Sequence, residues 1–194
     1  MNRSKTHQTL LRLCTAAMMT AIIFLGNYPR ITMPVPVGGV TSFTLANIFC
    51  ALAGLLLGPW YGSVAAGLGS FLYDLTNPNY VAEAPITFIT KGMYGLVAGL
   101  VLYYLLKSFK EKRPYPAQVI ASTAAALAYM AAYVLKNYFY NAPLHGLSEP
   151  VQRWIYVVPK IPATITNGVI AVIFAPILGM AILKALQKAH LQLT

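Results

Sequence analysis

Few side chains in this sequence can ionise, and those set inside apolar runs stand out as the ones with chemistry to do. Asp74 closes "GSFLYDL", Lys91 lies in "TFITKGMYG", Lys136 precedes "NYFYN", and Lys160 stands between Pro159 and Pro162. Charge inside hydrocarbon is costly, so such residues are functional candidates by default. Asp74 and Lys91 are expected to form an ion pair that ties two helices together, with Lys91 also able to touch a ligand. Lys136 and Lys160 have no obvious acidic partner. They either snorkel to the membrane interface or, with Arg30 and Lys91, give one end of the bundle a positive cavity. Such a cavity suits a carboxylate, a phosphate or an electron-rich heteroaromatic ring. Aromatic residues gather at the same end, partly as an interfacial belt. The candidate substrate-binding set is Arg30, Asn47, Tyr80, Lys91, Tyr94, Lys136, Tyr140, Trp154 and Lys160.

Other chemistries find little support. No G-x-x-x-x-G-K-[ST] stretch is present, which excludes ATP hydrolysis by that route, and no H-E-x-x-H metal motif occurs. Ser70 and His145 could be imagined as a dyad, but His145 falls in a loop with no orienting partner. Cys14 and Cys50 sit in apolar runs without C-x-x-C or Cys/His spacing, so neither a zinc site nor a disulfide framework is expected. The sequence therefore predicts no enzyme, no catalytic residue, no metal and no cofactor.

The elements that position these residues follow from composition. The 194 residues are 58% hydrophobic and 9% charged, against roughly a quarter charged in a soluble domain. Mean hydropathy is +0.62. The chain reads as a single integral membrane domain over residues 1–194. With about 20 apolar residues per crossing, six spans can be drawn, at about 10–28, 44–57, 61–75, 85–106, 116–139 and 161–186. The fold class expected is an all-α membrane protein, a six-transmembrane-helix bundle. Its second and third spans are short, as local thinning or burial in a bundle permits. The N-terminus is basic and then apolar, but the apolar run outlasts a signal peptide and no cleavage site follows it.

Charge sets the orientation. Arg3, Lys5 and Arg12, then Lys107, Lys110, Lys112 and Arg113, then Lys184 and Lys188 all fall on one side of a six-span bundle. The opposite segments, 29–43, 76–84 and 140–159, hold Arg30 and Arg153 as their only Arg or Lys. Basic loops stay inside, so both termini are expected in the cytoplasm. Most of the formal +10 charge is then a topology signal, and no nucleic acid is expected. The outer loops are long; "YPRITMPVPVGGVTSF" is rich in Pro and Gly and reads as a shaped loop or short hairpin. Loops of that length are usually lids or binding loops.

Three motifs carry a resemblance. The L-L-G-P-x-x-G turn at Leu56 to Gly62, G-S-x-x-x-D at Gly69 to Asp74 and T-F-I-x-K-G at Thr87 to Gly92 resemble the substrate-binding S components of energy-coupling factor (ECF) vitamin transporters. So does A-x-x-x-A at Ala17 and Ala21 on the first span, a small-xxx-small spacing that permits close helix approach. The likeness covers spans one to four; the last third matches by hydropathy. It implies a binding subunit that captures a water-soluble vitamin from outside, in the plasma membrane of a prokaryote. It further implies a transmembrane coupling protein, contacted through Ala17 and Ala21, and two ABC ATPases that supply energy. The members that look most similar are associated with hydroxymethylpyrimidine or pyridoxine-type compounds; carriers of cobalamin, pantothenate, riboflavin and folate share the fold, which does not fix the ligand. A self-sufficient transporter and a structural membrane subunit are the readings of another class. Against the first, no inverted repeat with paired interrupted helices is apparent.

Overall fold

The computed structural model describes residues 3–34, 40–107 and 114–189, with side chains from Gln8 onward. Among the expected inner charges, Lys110, Lys112, Arg113 and the side chains of Arg3 and Lys5 lie outside the described residues. Helix α1 spans Arg3–Gly26. Strands β1 (Arg30–Pro34) and β2 (Val40–Thr44) follow, then α2 (Ala46–Thr76) and α3 (Ala84–Leu106). Helix α4 (Tyr115–Lys136) runs into a π-helical turn at Asn137–Asn141 and the single turn α5 (Ala142–Leu144). Short α6 (Pro150–Val157) precedes α7 (Ile161–Lys188). Among the described residues, five helical stretches are long and apolar enough to cross a membrane, as expected of a helical membrane protein.

One of the five is folded back on itself. Gly58 has φ 79° and ψ −174°, a region essentially reserved to glycine. Pro59 then opens a new helical arm, where its missing N–H is no loss. The Cys50 Sγ and Ser70 Oγ atoms are 3.9 Å apart although 20 residues separate them; a straight helix would put them about 30 Å apart. Helix α2 is therefore a helical hairpin, with arms over residues 46–57 and 59–76.

Small residues let the helices touch backbone to backbone. A Cβ on Gly62 would lie 2.6 Å from the Gly54 Cα across the α2 hairpin, and one on Gly95 of α3 would lie 2.5 Å from the Gly62 carbonyl oxygen. Helix α1 crosses the second arm at Gly69, where a Cβ would stand 2.6 Å from the Thr20 carbonyl. Met19 and Ile23 pack inward there. The other face of α1, with Ala17, Met18, Ala21 and Leu25, is exposed. On α4 the buried face repeats every four residues, at Ala117, Ala121 and Ala125, and it meets Ala171 and Ala175 of α7 in the same core.

The fold is not wholly helical. The Pro/Gly-rich segment forms an antiparallel β-hairpin in the register Arg30↔Thr44 to Pro34↔Val40, the short hairpin that was one of two readings of this segment. β-Branched Val40, Thr41 and Thr44 favour the extended strand. The hairpin, the π turn and α6 all gather at the end of the bundle where α2, α3 and α7 begin and α4 ends.

Candidate functional site

A polar cavity of about 80 Å³ opens at this end of the bundle. Its walls are helical stripes. Thr87, Thr90 and Lys91 come from α3 at spacings of three and four. Tyr129, Tyr133 and Lys136 come from α4, and Lys160, Thr164 and Asn167 line it from the start of α7. Residues so spaced share one helix face, so three apolar helices each turn one polar stripe toward a common centre. Asn47 sits in the first turn of α2, and Asn137 and Asn141 in the π turn.

Each cation has a defined seat. The Arg30 guanidinium lies between the rings of Tyr73 and Tyr80, with centroids at 4.4 and 4.6 Å. It donates to the Asn27 carbonyl at 3.1 Å and to its side-chain oxygen at 3.2 Å. Lys91 donates to Asn47 Oδ1, with its Nζ 4.6 Å from the Tyr129 ring centroid. Lys136 makes an ion pair with Glu83 at 2.8 Å and donates to Thr87 Oγ1 at 2.8 Å. Lys160 donates to Asn137 Oδ1 at 3.1 Å and stands 3.5 Å from the Tyr156 centroid.

This differs from the ion pair expected between Asp74 and Lys91. Asp74 is buried and lines the same cavity, but the salt bridge here is Lys136 with Glu83. Asp74 lies against Thr87 and in the field of Lys136 and Arg30. Lys91 donates instead to Asn47 on the first arm of α2, and Asp74 acts on it through space without a direct ion pair. The partner that Lys136 lacked in the sequence comes from the 3-10 turn Val81–Glu83. Neither Lys136 nor Lys160 snorkels, with 8% and 2% of their surfaces exposed.

Six of the nine candidate residues, Arg30, Asn47, Tyr80, Lys91, Lys136 and Lys160, line the cavity. The other three stand behind or beside it. Tyr94 stacks on the far side of Tyr129, with centroids 5.0 Å apart. Tyr140 donates its hydroxyl to the Ala82 carbonyl at 2.9 Å and so steadies the turn that carries Glu83. Trp154 is half-exposed and leans on Tyr138 at 5.2 Å. Residue-by-residue reading missed Thr87, Tyr129, Asn137, Asn141 and Asn167. The polar stripes at helical spacing were the signal that would have found them.

Two further features shape access. Asn167 clamps the β-hairpin to α7, donating to the Ser42 carbonyl at 2.8 Å and accepting from the Thr44 N–H at 3.1 Å. A second cavity, of about 440 Å³, is lined by Pro78, Asn79, Leu144 and His145 and shares Val40, Tyr80 and Glu83 with the first. Those three residues therefore form the partition between an outer vestibule and the inner chamber.

Comparison with known proteins gives one family. The model of the ECF-type riboflavin transporter S component family matches residues 7–185. The fold is similar to the solved S component of a bacterial ECF transporter, with a TM-score of 0.65 and 22% identity over 92% of this chain and 98% of that one. It is also similar to the S component for biotin from an ECF-type ABC transporter, with a TM-score of 0.58 and 19% identity over 92% and 94%. No curated protein matches the sequence significantly.

Proposed function

The chain belongs to the family of ECF-type riboflavin transporter S components, and from that premise we propose that its polar cavity binds a single-ring, water-soluble vitamin or precursor of the hydroxymethylpyrimidine or pyridoxine kind. As an S component it is a substrate-binding subunit of a vitamin transporter and not an enzyme, and it works with an ECF module. The observation that carries the choice of ligand is the size and lining of the cavity. About 80 Å³ is room for roughly five to eight water-sized centres, which suits one substituted ring within the inner chamber. Hydrogen-bonding groups on all sides with Tyr129 and Tyr133 on one wall fit a small heteroaromatic ring.

The rest of the assembly belongs to the same proposal. The module comprises a transmembrane coupling protein and two ABC ATPases, and Ala17 and Ala21 on the exposed face of α1 form the contact with the coupling protein. The two arms of α2 cross separately, so six segments span the cell membrane and both termini are cytoplasmic. Arg12, Lys107, Lys184 and Lys188 then lie on the inner face, in keeping with the positive-inside rule.

Mass spectrometry on the denatured extract of protein purified in detergent without added vitamin tests the ligand. A stoichiometric pyrimidine or pyridine compound is expected. A stoichiometric flavin would replace this choice of substrate with the family's namesake. An empty preparation with no thermal shift against a vitamin panel would favour a structural subunit.

A further inference from the structure

Charge in the inner chamber does not balance. Four cationic side chains, Arg30, Lys91, Lys136 and Lys160, face two carboxylates, Asp74 and Glu83. Glu83 is taken by Lys136, and Asp74 lies near Lys136 and Arg30. Among the described residues, the direct contacts of Lys91 and Lys160 are neutral, an asparagine oxygen and a tyrosine ring each, and Asp74 and Glu83 reach them only through space. Both are more than nine-tenths buried, at 7% and 2% exposed. An ammonium removed from water is costly unless an anion meets it, and an amide oxygen with a ring face recovers part of that cost.

The two lysines serve different ends of the chamber. Asp74 and Arg30 are the charged side chains acting on Lys91, whereas Glu83 and Lys136 act on Lys160. At the Lys160 end, Asn137 Oδ1 already accepts from both Lys160 and Asn141 Nδ2, the latter at 3.1 Å. An ammonium has three donors, so beyond Asn137 Oδ1 and the Tyr156 ring face Lys160 keeps one N–H group for another acceptor. Buried Asn141 Oδ1 beside it has no hydrogen-bond partner. This corner is an acceptor site with its donors set out, and among the described residues no carboxylate makes direct contact with Lys160, since Glu83 is paired with Lys136.

We infer that the ligand is an acid, whose carboxylate or phosphate oxygen is held by Lys160 at the π-turn end while its ring extends toward Tyr129 and Lys91. The inference rests on the substrate-binding reading and, within single-ring pyrimidine and pyridine compounds, favours a carboxylate or phosphate ester over neutral hydroxymethylpyrimidine or pyridoxine themselves. Lys136 adds attraction from behind its ion pair. The unpaired Asn141 oxygen accepts a hydroxyl or N–H beside the acid group. An incoming anion replaces its water shell with fixed donors, which are about twice as strong to a charged oxygen as to a neutral one.

The test uses the whole chain in detergent. Thermal shifts are compared within two matched pairs, nicotinate against nicotinamide and pyridoxal 5′-phosphate against pyridoxal, with riboflavin alongside, and the co-purified ligand is identified by mass spectrometry. A shift for the acid of a pair without its neutral mate, or a stoichiometric acid in the extract, supports the inference; which acid responds separates carboxylate from phosphate. Lys160→Met and Lys160→Gln should weaken acid binding about ten- to a hundredfold without lowering the melting temperature of the empty protein. A stoichiometric neutral ligand, riboflavin included, overturns the inference and leaves the binding-subunit reading intact. Lys160 variants that lose stability but keep affinity overturn it as well. Binding of nothing at all overturns both.

Discussion

Lys136 and Glu83 meet at 2.8 Å because the last turn of α4 and the 3-10 turn ahead of α3 converge over the cavity. Breaking a buried pair from one side leaves the other charge stranded. Lys136→Met should therefore cost about 2–3 kcal/mol, less than for a fully dry pair because Glu83 keeps some contact with water. Adding Glu83→Gln should restore part of that loss, and a thermal-melt double-mutant cycle reads the coupling directly. Asp74→Asn and Lys91→Met should behave otherwise. With no direct pair between them and only a through-space interaction, their coupling should be smaller than that of Lys136 with Glu83. Strong coupling in that second cycle would reinstate the ion pair the sequence suggested.

Each element presents its function through one local decision. In α2 the decision is Gly58, whose φ of 79° starts the reversal that brings Asn47 back toward α3. Gly58→Ala should cost about 1–3 kcal/mol in backbone strain, seen as a lower melting temperature in detergent. If the variant melts like the parent, the hairpin turn does not depend on that backbone state. In the β-hairpin the decision is its clamp. Asn167→Leu removes both hydrogen bonds to β2, so hydrogen exchange over residues 40–44 should rise while the bundle core stays protected. Ligand release should quicken as well, because Val40 belongs to the partition between vestibule and chamber. Unchanged exchange would show that the strand pairing with β1 holds the hairpin alone.

At the scale of the whole molecule, the polar cavity and the face proposed for the coupling protein are separate surfaces. The cavity occupies the hairpin end of the bundle, while Ala17 and Ala21 lie on an exposed face of α1 among Leu13, Met18 and Leu25. Such an apolar stripe can face lipid or a partner, and small residues permit a helix to come close. Ala17→Trp combined with Ala21→Trp should reduce co-purification with a co-expressed ECF module several-fold and leave ligand affinity unchanged. Equal recovery of the module would move the contact to another face.

Composition and the length of the apolar runs alone determined that this chain is a helical membrane protein, because a continuous apolar run of about 20 residues satisfies its backbone in lipid within itself only as a helix. They also marked Arg30, Lys91, Lys136 and Lys160 as candidates for a common cavity, with snorkelling as the alternative for Lys136 and Lys160, since charge inside apolar helices is costly. Only the tertiary structure decided how those charges pair. Lys91 meets Asn47 from 44 residues away, and Lys136 meets Glu83 across two elements. Such choices depend on the close helix crossings that the glycine contacts permit. Tyr94, Tyr140 and Trp154 were readable as aromatic residues at one end of the bundle. Whether a ring lines the chamber, backs its wall or faces outward depends on helix rotation and on the π turn at Asn137–Asn141, which long-range packing fixes and local sequence does not.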